Sequence, residues 1–305
     1  MPQTLEAQTE ISMISNAKNF LISSQSSKNI ISVVQDSQLG AYRMTSTLHG
    51  KKLSQAQFYD ICSGFPVSPH DPEFDPEKPD DMMSTKYILD RIQHIRRVLK
   101  SLGKKVQCYN GKGLVSVMLP LDFNYEKKND ADKNEPTVRI YRGVLYEGAL
   151  DKNIVGSAYN SVIQILNKEY SPDTACHFID CLTFATNHYL SINTFTIGPE
   201  DCMISKQVNA DGVSKHEEIQ DVIRKCYVEA ESIKQTVSHP GIREAKITGA
   251  LNKAKDIGLK IAKEALLPTN AFVSTITAGS KGDFFNIAQI TGLLGQQNLK
   301  DKRVP

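Results

Sequence analysis

The chain has 305 residues, of which 40% are apolar and 23% charged, and its net charge is +2. That length supports two domains with proper cores, and the composition excludes general disorder. So small a charge excludes nucleic-acid binding by bulk electrostatics; no apolar run approaches a membrane span, and the polar start does not read as a signal peptide.

The first half carries β signals. Ile30–Gln35 and Leu114–Leu119 read as strands, and Thr137–Tyr141 and Val144–Glu147 as a hairpin joined through Arg142-Gly143, because glycine tolerates the positive φ such a turn needs. One helix interrupts this half, from Ser84 as N-cap to Gly103 as stop, with Ile88, Ile92, Ile95, Leu99 and Leu102 as its apolar stripe. Arg91, Arg96, Arg97, Lys100, Lys104 and Lys105 make that helix and its exit basic. Such a face suits nucleic acid or an acidic partner subunit, and a plain solvated face accounts for it at least as well. Two loops punctuate the half. Pro66–Asp81 holds five prolines and six carboxylates, and its acidic alternation fails as a calcium loop because Pro76 and Met82 stand where Gly and Glu are required. Glu126–Glu135 is the second polar loop.

From Gly156 onward helical patterns dominate. Ser171-Pro172 starts a helix carrying Ala175, Phe178, Ile179, Leu182, Ala185 and Tyr189. The six cysteines include no Cys-x-x-Cys pair, and Cys176, His177, Cys181 and His188 lack zinc spacing, so buried thiols in a reducing compartment are expected and no metal. Asn209-Ala210-Asp211-Gly212 reads as a turn, and Ser214 with Glu217 forms a capping box. The helix it opens and Gly241–Leu266, separated by His239-Pro240-Gly241, should pair antiparallel. The apolar run Ala271–Ala278 then leads through Gly279-Ser280-Lys281-Gly282 into an uncharged stretch, Phe284–Leu299, read as one helix. At 100° per residue Phe284, Ile287, Ala288, Thr291 and Leu294 share a face, and Asn286, Gln289, Gln296 and Gln297 cluster opposite. An amide-only face suggests a fitted surface; the plainer reading is amides satisfying buried backbone.

Ala278-Gly279-Ser280-Lys281-Gly282, Phe285 to Gln289, Gly295-Gln296-Gln297 and Lys302 to Pro305 form a long pattern. It resembles the funnel of the largest subunit of multi-subunit DNA-directed RNA polymerases. Asp283 departs from the serine common at that place. The resemblance extends over nearly the whole chain. Pro2-Gln3 and Glu6, then Val33 to Asp36 with Gly40 and Met44-Thr45, are similar to the segment after the catalytic aspartate loop. Gly111-Lys112, Ser116, Leu119-Pro120, Tyr146 to Gly148, Leu150 to Lys152 and Gly156 are similar to the pore domain, and Phe195 to Gly198 with Asp201-Cys202 to the start of the funnel. It is weakest in 46–110. The wording of Leu119–Tyr125 is most like the enzymes of large cytoplasmic DNA viruses.

The resemblance implies an α+β fold, with a β-rich pore-like domain over 1–155 followed by a mainly helical, funnel-like domain over 156–305 that carries the long helix pair. It also implies a role in lining the secondary channel through which nucleotides reach the active site. Lys281 becomes the candidate for the nucleotide's phosphates, and Asn286, Gln289, Gln296 and Gln297 candidates for facing the channel or an inhibitor. Gln35, Asp36 and Gly40 fall near the active-site floor. The Mg²⁺-binding aspartates of the family are missing, so the chain is expected to be an internal fragment that starts just past the catalytic loop, inactive alone and binding no cofactor, with Mg²⁺ belonging to the parent enzyme. Implied partners are the other polymerase subunits, DNA, RNA, nucleoside triphosphates and a transcript-cleavage factor, with no membrane. The implied setting is intracellular: cytoplasmic, in a viral factory or virion, for a viral enzyme, and nuclear otherwise. A stand-alone helical interaction module is the alternative. A nucleotide-binding enzyme using Gly279–Gly282 as a phosphate loop is disfavoured, since Walker spacing is absent and Asp283 sits where phosphate would.

Overall fold

Serines set five of the helix starts. Ser54, Ser84, Ser161, Ser171 and Ser214 each take the backbone N–H three residues on, and at Ser54 and Ser214 the partner glutamine or glutamate returns the bond. The computed structural model describes residues 2–69, 82–129, 135–204, 212–299 and 302–304. It divides into two units, Met1–Phe195 with Thr277–Ser280, and Thr196–Ile276 with Lys281–Pro305.

The first unit contains helices α1 (Leu5–Met13), α2 (Gln35–Thr45), α3 (Gln55–Ser63), α4 (Thr85–Ser101) and α5 (Gly111–Met118). An antiparallel sheet β1 (Tyr125–Lys127), β2 (Val138–Tyr141), β3 (Val144–Glu147) follows, then α6 (Lys152–Val155), α7 (Val162–Glu169) and α8 (Pro172–Ile192). Ala175, Phe178, Cys181, Leu182, Ala185 and Tyr189 form the buried face of α8, against which α2, α3, α5 and α7 pack. α7 and α8, which the sequence places after residue 155, therefore lie in this unit's core. The hairpin turn is as expected: Arg142 and Gly143 have φ of +48° and +70°, which match the strand twist.

The α+β class holds, with differences in particular elements. Ile30–Gln35 is not a strand. Asn29 makes an isolated bridge to Ile22, its amide donates to the Gly156 carbonyl, and Gln35 already starts α2, so the segment is held by single contacts rather than by a ladder. Leu114–Leu119 falls largely in a helix. The run is buried on every side, so periodicity gives no sign of its conformation. Asn110 decides it by capping the Gly113 N–H at 2.8 Å. Glu126 and Lys127, expected in a loop, pair in β1, where Glu126 meets Arg139 at 2.9 Å across the ladder. The rest of that loop at 130–134, the acidic stretch 70–81 and Asn209 to Asp211 lie outside the described residues. Arg91, counted with the basic face, is buried and donates to the Ser116 and Leu119 carbonyls at the end of α5. Burial pushes its pKa down, and the carbonyl dipoles hold the guanidinium there.

The second unit is built on α9 (Lys215–Thr236) and α10 (Pro240–Ala265). They pack along their lengths across a short connection, which makes them antiparallel as expected. α11 (Ala271–Ala278), α12 (Phe284–Thr291) and the hairpin β4 (Asn298–Leu299), β5 (Lys302–Arg303) complete the elements. Asp201 caps α11 by accepting the Ala271 N–H at 2.8 Å.

Gly40 marks a close helix crossing: a Cβ there would lie 2.7 Å from Thr186 Cβ of α8. Gly40→Ala gains helix propensity of about 1 kcal/mol, yet overpacking a rigid crossing costs about 1–3 kcal/mol. A net loss of stability in urea denaturation is expected; a more stable variant would contradict this packing.

Candidate functional site

In the second unit the candidate residues hang from one face of α10. Ala250, Ala254, Gly258, Ala262 and Ala265 are buried there alongside Ile247 and Ile261, and they keep much of that face low. A Cβ at Gly258 would collide with Leu293 Cδ2, and one at Gly292 would lie 2.7 Å from Ala262 Cβ. The segment after α11 runs down this face. Phe284 lies beneath Lys263, whose ammonium is 4.5 Å from the ring centre, and Phe285 beneath Lys255 at 5.2 Å. Further along, Arg303 forks onto Glu244, Nε to Oε1 at 2.8 Å and Nη2 to Oε2 at 3.0 Å.

Lys281 is exposed and makes no hydrogen bond or ion pair among the described residues. Gly279 and Gly282, with φ of +74° and +75°, turn the chain on either side of it. Asp283 does not meet Lys281. Its Oδ1 takes the Asn286 N–H at 2.8 Å and caps α12. A carboxylate therefore occupies the helix N-terminus, which leaves no phosphate cradle of the Walker kind.

The expected helix Phe284–Leu299 ends at Thr291. Gly292 closes it by donating to the Ala288 carbonyl at 2.8 Å, and Gly295 turns the chain again at φ +74°. The four amides therefore do not share one helix face. Asn286 is exposed and Gln289 half-buried on α12, and neither side chain is hydrogen-bonded among the described residues. Gln296 and Gln297 lie in the extended segment beyond. Gln296 Nε2 donates to the Gln297 and Val304 carbonyls, both at 3.0 Å, and Gln297 Nε2 to the Leu294 carbonyl at 3.1 Å. These two amides serve backbone. Leu294, expected on the buried face, is 61% exposed because it lies past the helix end.

In the first unit Gln35, Asp36 and Gly40 all lie on α2. Gln35 is exposed at φ +50°, a conformation that costs a non-glycine residue free energy. Asp36 is exposed in the first turn, where its charge complements the helix dipole. Gly40 is buried for packing. Among the described residues no three His, Cys, Asp or Glu side chains gather to hold a metal. His177 Nε2 lies 3.3 Å from Cys181 Sγ and 3.1 Å from the Pro66 carbonyl, while His188 turns to Asp60 at 3.1 Å. Burial pushes the Cys62 and Cys181 thiols well up, away from thiolate chemistry.

Comparison with known proteins gives two family matches, described as RNA polymerase Rpb1, domain 3, over residues 20–202, and RNA polymerase Rpb1, domain 4, over residues 215–305. A protein of Invertebrate iridescent virus 6, "Probable DNA-directed RNA polymerase II subunit RPB1 homolog", is 37% identical over 99% of this chain and 28% of its own length. "DNA-directed RNA polymerase II subunit RPB1-B" of Trypanosoma brucei brucei is 28% identical over the whole chain and 16% of its own length. "DNA-directed RNA polymerase subunit Rpo1N" of Methanococcus vannielii is 25% identical over the whole chain and 33% of its own length. The chain thus spans a third or less of each of these relatives.

No spacing in the sequence points to contacts of Glu244, Lys255, Lys263 or Arg303, which arise only where α12 and the hairpin meet α10. Hydrogen bonds from Arg303 hold the Glu244 carboxyl below its ordinary value. A depressed carboxyl stabilises the fold above its unfolded pKa and loses that contribution as pH falls through the folded one. The Val304 amide, which donates to Gln297 at 2.9 Å, reports the hairpin. Its hydrogen-exchange protection is expected to fall below the ordinary value of 4.5, and Glu244→Gln to remove that dependence. Protection indifferent to pH in the unsubstituted chain would dismiss the fork as an anchor.

Proposed function

The chain belongs to the family of largest subunits of DNA-directed RNA polymerases, and we propose that it lines the secondary channel by which nucleotides reach the active site during DNA-templated RNA synthesis. The pore-like part, 1–155, and the funnel-like part, 156–305, share that lining. The observation that carries the reading is Lys281, an exposed ammonium without a partner among the described residues, held between two left-handed glycines. A mobile polyphosphate suits such a point charge. Gln35 and Asp36 lie towards the active-site floor in this reading. Asn286 and Gln289 offer uncommitted amides to the channel or to an inhibitor, and Gln296 and Gln297 shape the hairpin beside them.

Catalysis is assigned elsewhere in the parent enzyme. Two-metal phosphoryl transfer needs clustered carboxylates, so Mg²⁺ is held outside this chain and the chain alone does not synthesise RNA. The partners are the other polymerase subunits, DNA, RNA and nucleoside triphosphates, together with a transcript-cleavage factor using the same channel. The site of action is intracellular: the cytoplasm, as viral factory or virion, for a viral enzyme, and the nucleus otherwise.

Lys281→Ala in the complete enzyme is expected to raise the KM for nucleotides roughly five- to thirtyfold, the effect of losing one screened charge contact of about 1–2 kcal/mol. The thermal stability of this chain should hold, because the side chain covers no core. An unchanged KM with lowered stability would favour a purely structural lysine, and template-directed synthesis by the 305-residue chain alone would overturn the assignment of catalysis.

A further inference from the structure

A cavity of about 200 Å³ opens in the first unit between the end of α4, the start of α5 and β3. Lys104, Lys105 and Lys112 all line it, Gln107 and Asn110 stand beside them, and no carboxylate does. Three ammonium groups at one concavity repel one another unless something negative joins them. Glu147 supplies part of that charge from outside the lining, but it is shared: Lys104 Nζ lies 3.0 Å from it and Arg139 Nη1 3.2 Å.

Lys112 is the least provided for. It is half-buried and has no hydrogen bond or ion pair among the described residues. Desolvation pushes its pKa down, with Glu135 and Glu147 acting the other way through space. Glu135 is engaged through one oxygen: its Oε1 accepts from Ser46 Oγ, Thr47 N and Thr47 Oγ1, while its Oε2 is buried without a hydrogen bond among the described residues. A partly desolvated charge without a partner is costly, and an anion in the cavity recovers that cost. The cavity wall also bears on what can enter. Asn110 is committed on both ends, capping Gly113 and donating to the Gln107 carbonyl, and Ser116 Oγ donates to the Lys112 carbonyl and accepts from Leu145 N. Among the described residues the donors left uncommitted are therefore the Lys105 and Lys112 ammonium groups and the Gln107 amide, with Lys104 shared with Glu147. A set of donors without acceptors rejects cations, and the volume lies below that of pockets for drug-sized ligands, about 300–1,000 Å³.

We propose that this cavity binds the phosphoryl groups of a small polyphosphate anion, with Lys112 as the inner contact and Lys104 and Lys105 closing over it. The site is separate in sequence from Lys281 and does not rest on the channel reading.

Calorimetric titration of the 305-residue chain with pyrophosphate tests it, with a short oligothymidylate as the second arm. Pyrophosphate binding that weakens with added salt is expected. Lys112→Met should weaken it roughly ten- to a hundredfold, the loss of a charge-assisted contact. Lys105→Glu, at an exposed position that cannot disturb the core, should weaken it too, and it decides the matter if Lys112→Met fails to fold. Absence of pyrophosphate binding would overturn the proposal. So would binding indifferent to both substitutions, binding lost only in Lys281→Ala, or binding of the oligonucleotide without pyrophosphate.

Discussion

The second unit depends on how little space α10 leaves. Leu293 fills the place of a side chain at Gly258, and Gly292 rests on Ala262. Because alanine and glycine stand at the contact points of that face, the backbone after α12 approaches closely enough for Ile219, Ile261, Ala262 and Ala288 to close one apolar cluster. A branched residue at position 258 or 292 would lift the whole segment. Lys255 and Lys263 could then no longer cover the two phenylalanines, nor could Glu244 reach Arg303. The polar contacts refine a position that small residues make possible.

Those contacts have unequal weight. The phenylalanines are capped by long cations whose stems also cover apolar area, as Lys255 does against Gly295. The Arg303–Glu244 fork is partly exposed, so its value lies in geometry more than energy: two parallel bonds fix the direction of β5. Through the Val304 bonds this direction passes to Gln296 and Gln297. Exposed charges thereby set the path of residues that carry none.

Local chemistry was legible in the sequence wherever one side chain decides it. The serine caps, the Arg142-Gly143 turn and the antiparallel helix pair follow from neighbours a few residues apart. The Leu114–Leu119 run was not legible, because a segment buried all round shows neither period, and Asn110 lies just outside it. The break in Phe284–Leu299 did have a signal in Gly292 and Gly295, which the absence of charge obscured. At Asn286 and Gln289 the amide side chains make no hydrogen bond among the described residues, while at Gln296 and Gln297 the lack of charge reflects amides turned to backbone. Glu244 and Arg303 lie 59 residues apart, and no spacing rule connects them.

Asp283 shows how one residue shapes what the turn before α12 can recognise. A serine at this N-cap would take the same N–H without a charge and leave the positive end of the helix dipole available to an anion. The aspartate instead satisfies the Asn286 N–H with its own charge, so the helix end no longer attracts phosphate. Any anion approaching this turn meets the Lys281 ammonium as a point charge, without the directional N–H groups that would fix its orientation. Such a contact attracts without immobilising. It suits a group that is passing or being handed on, and it places orientation with residues beyond this turn.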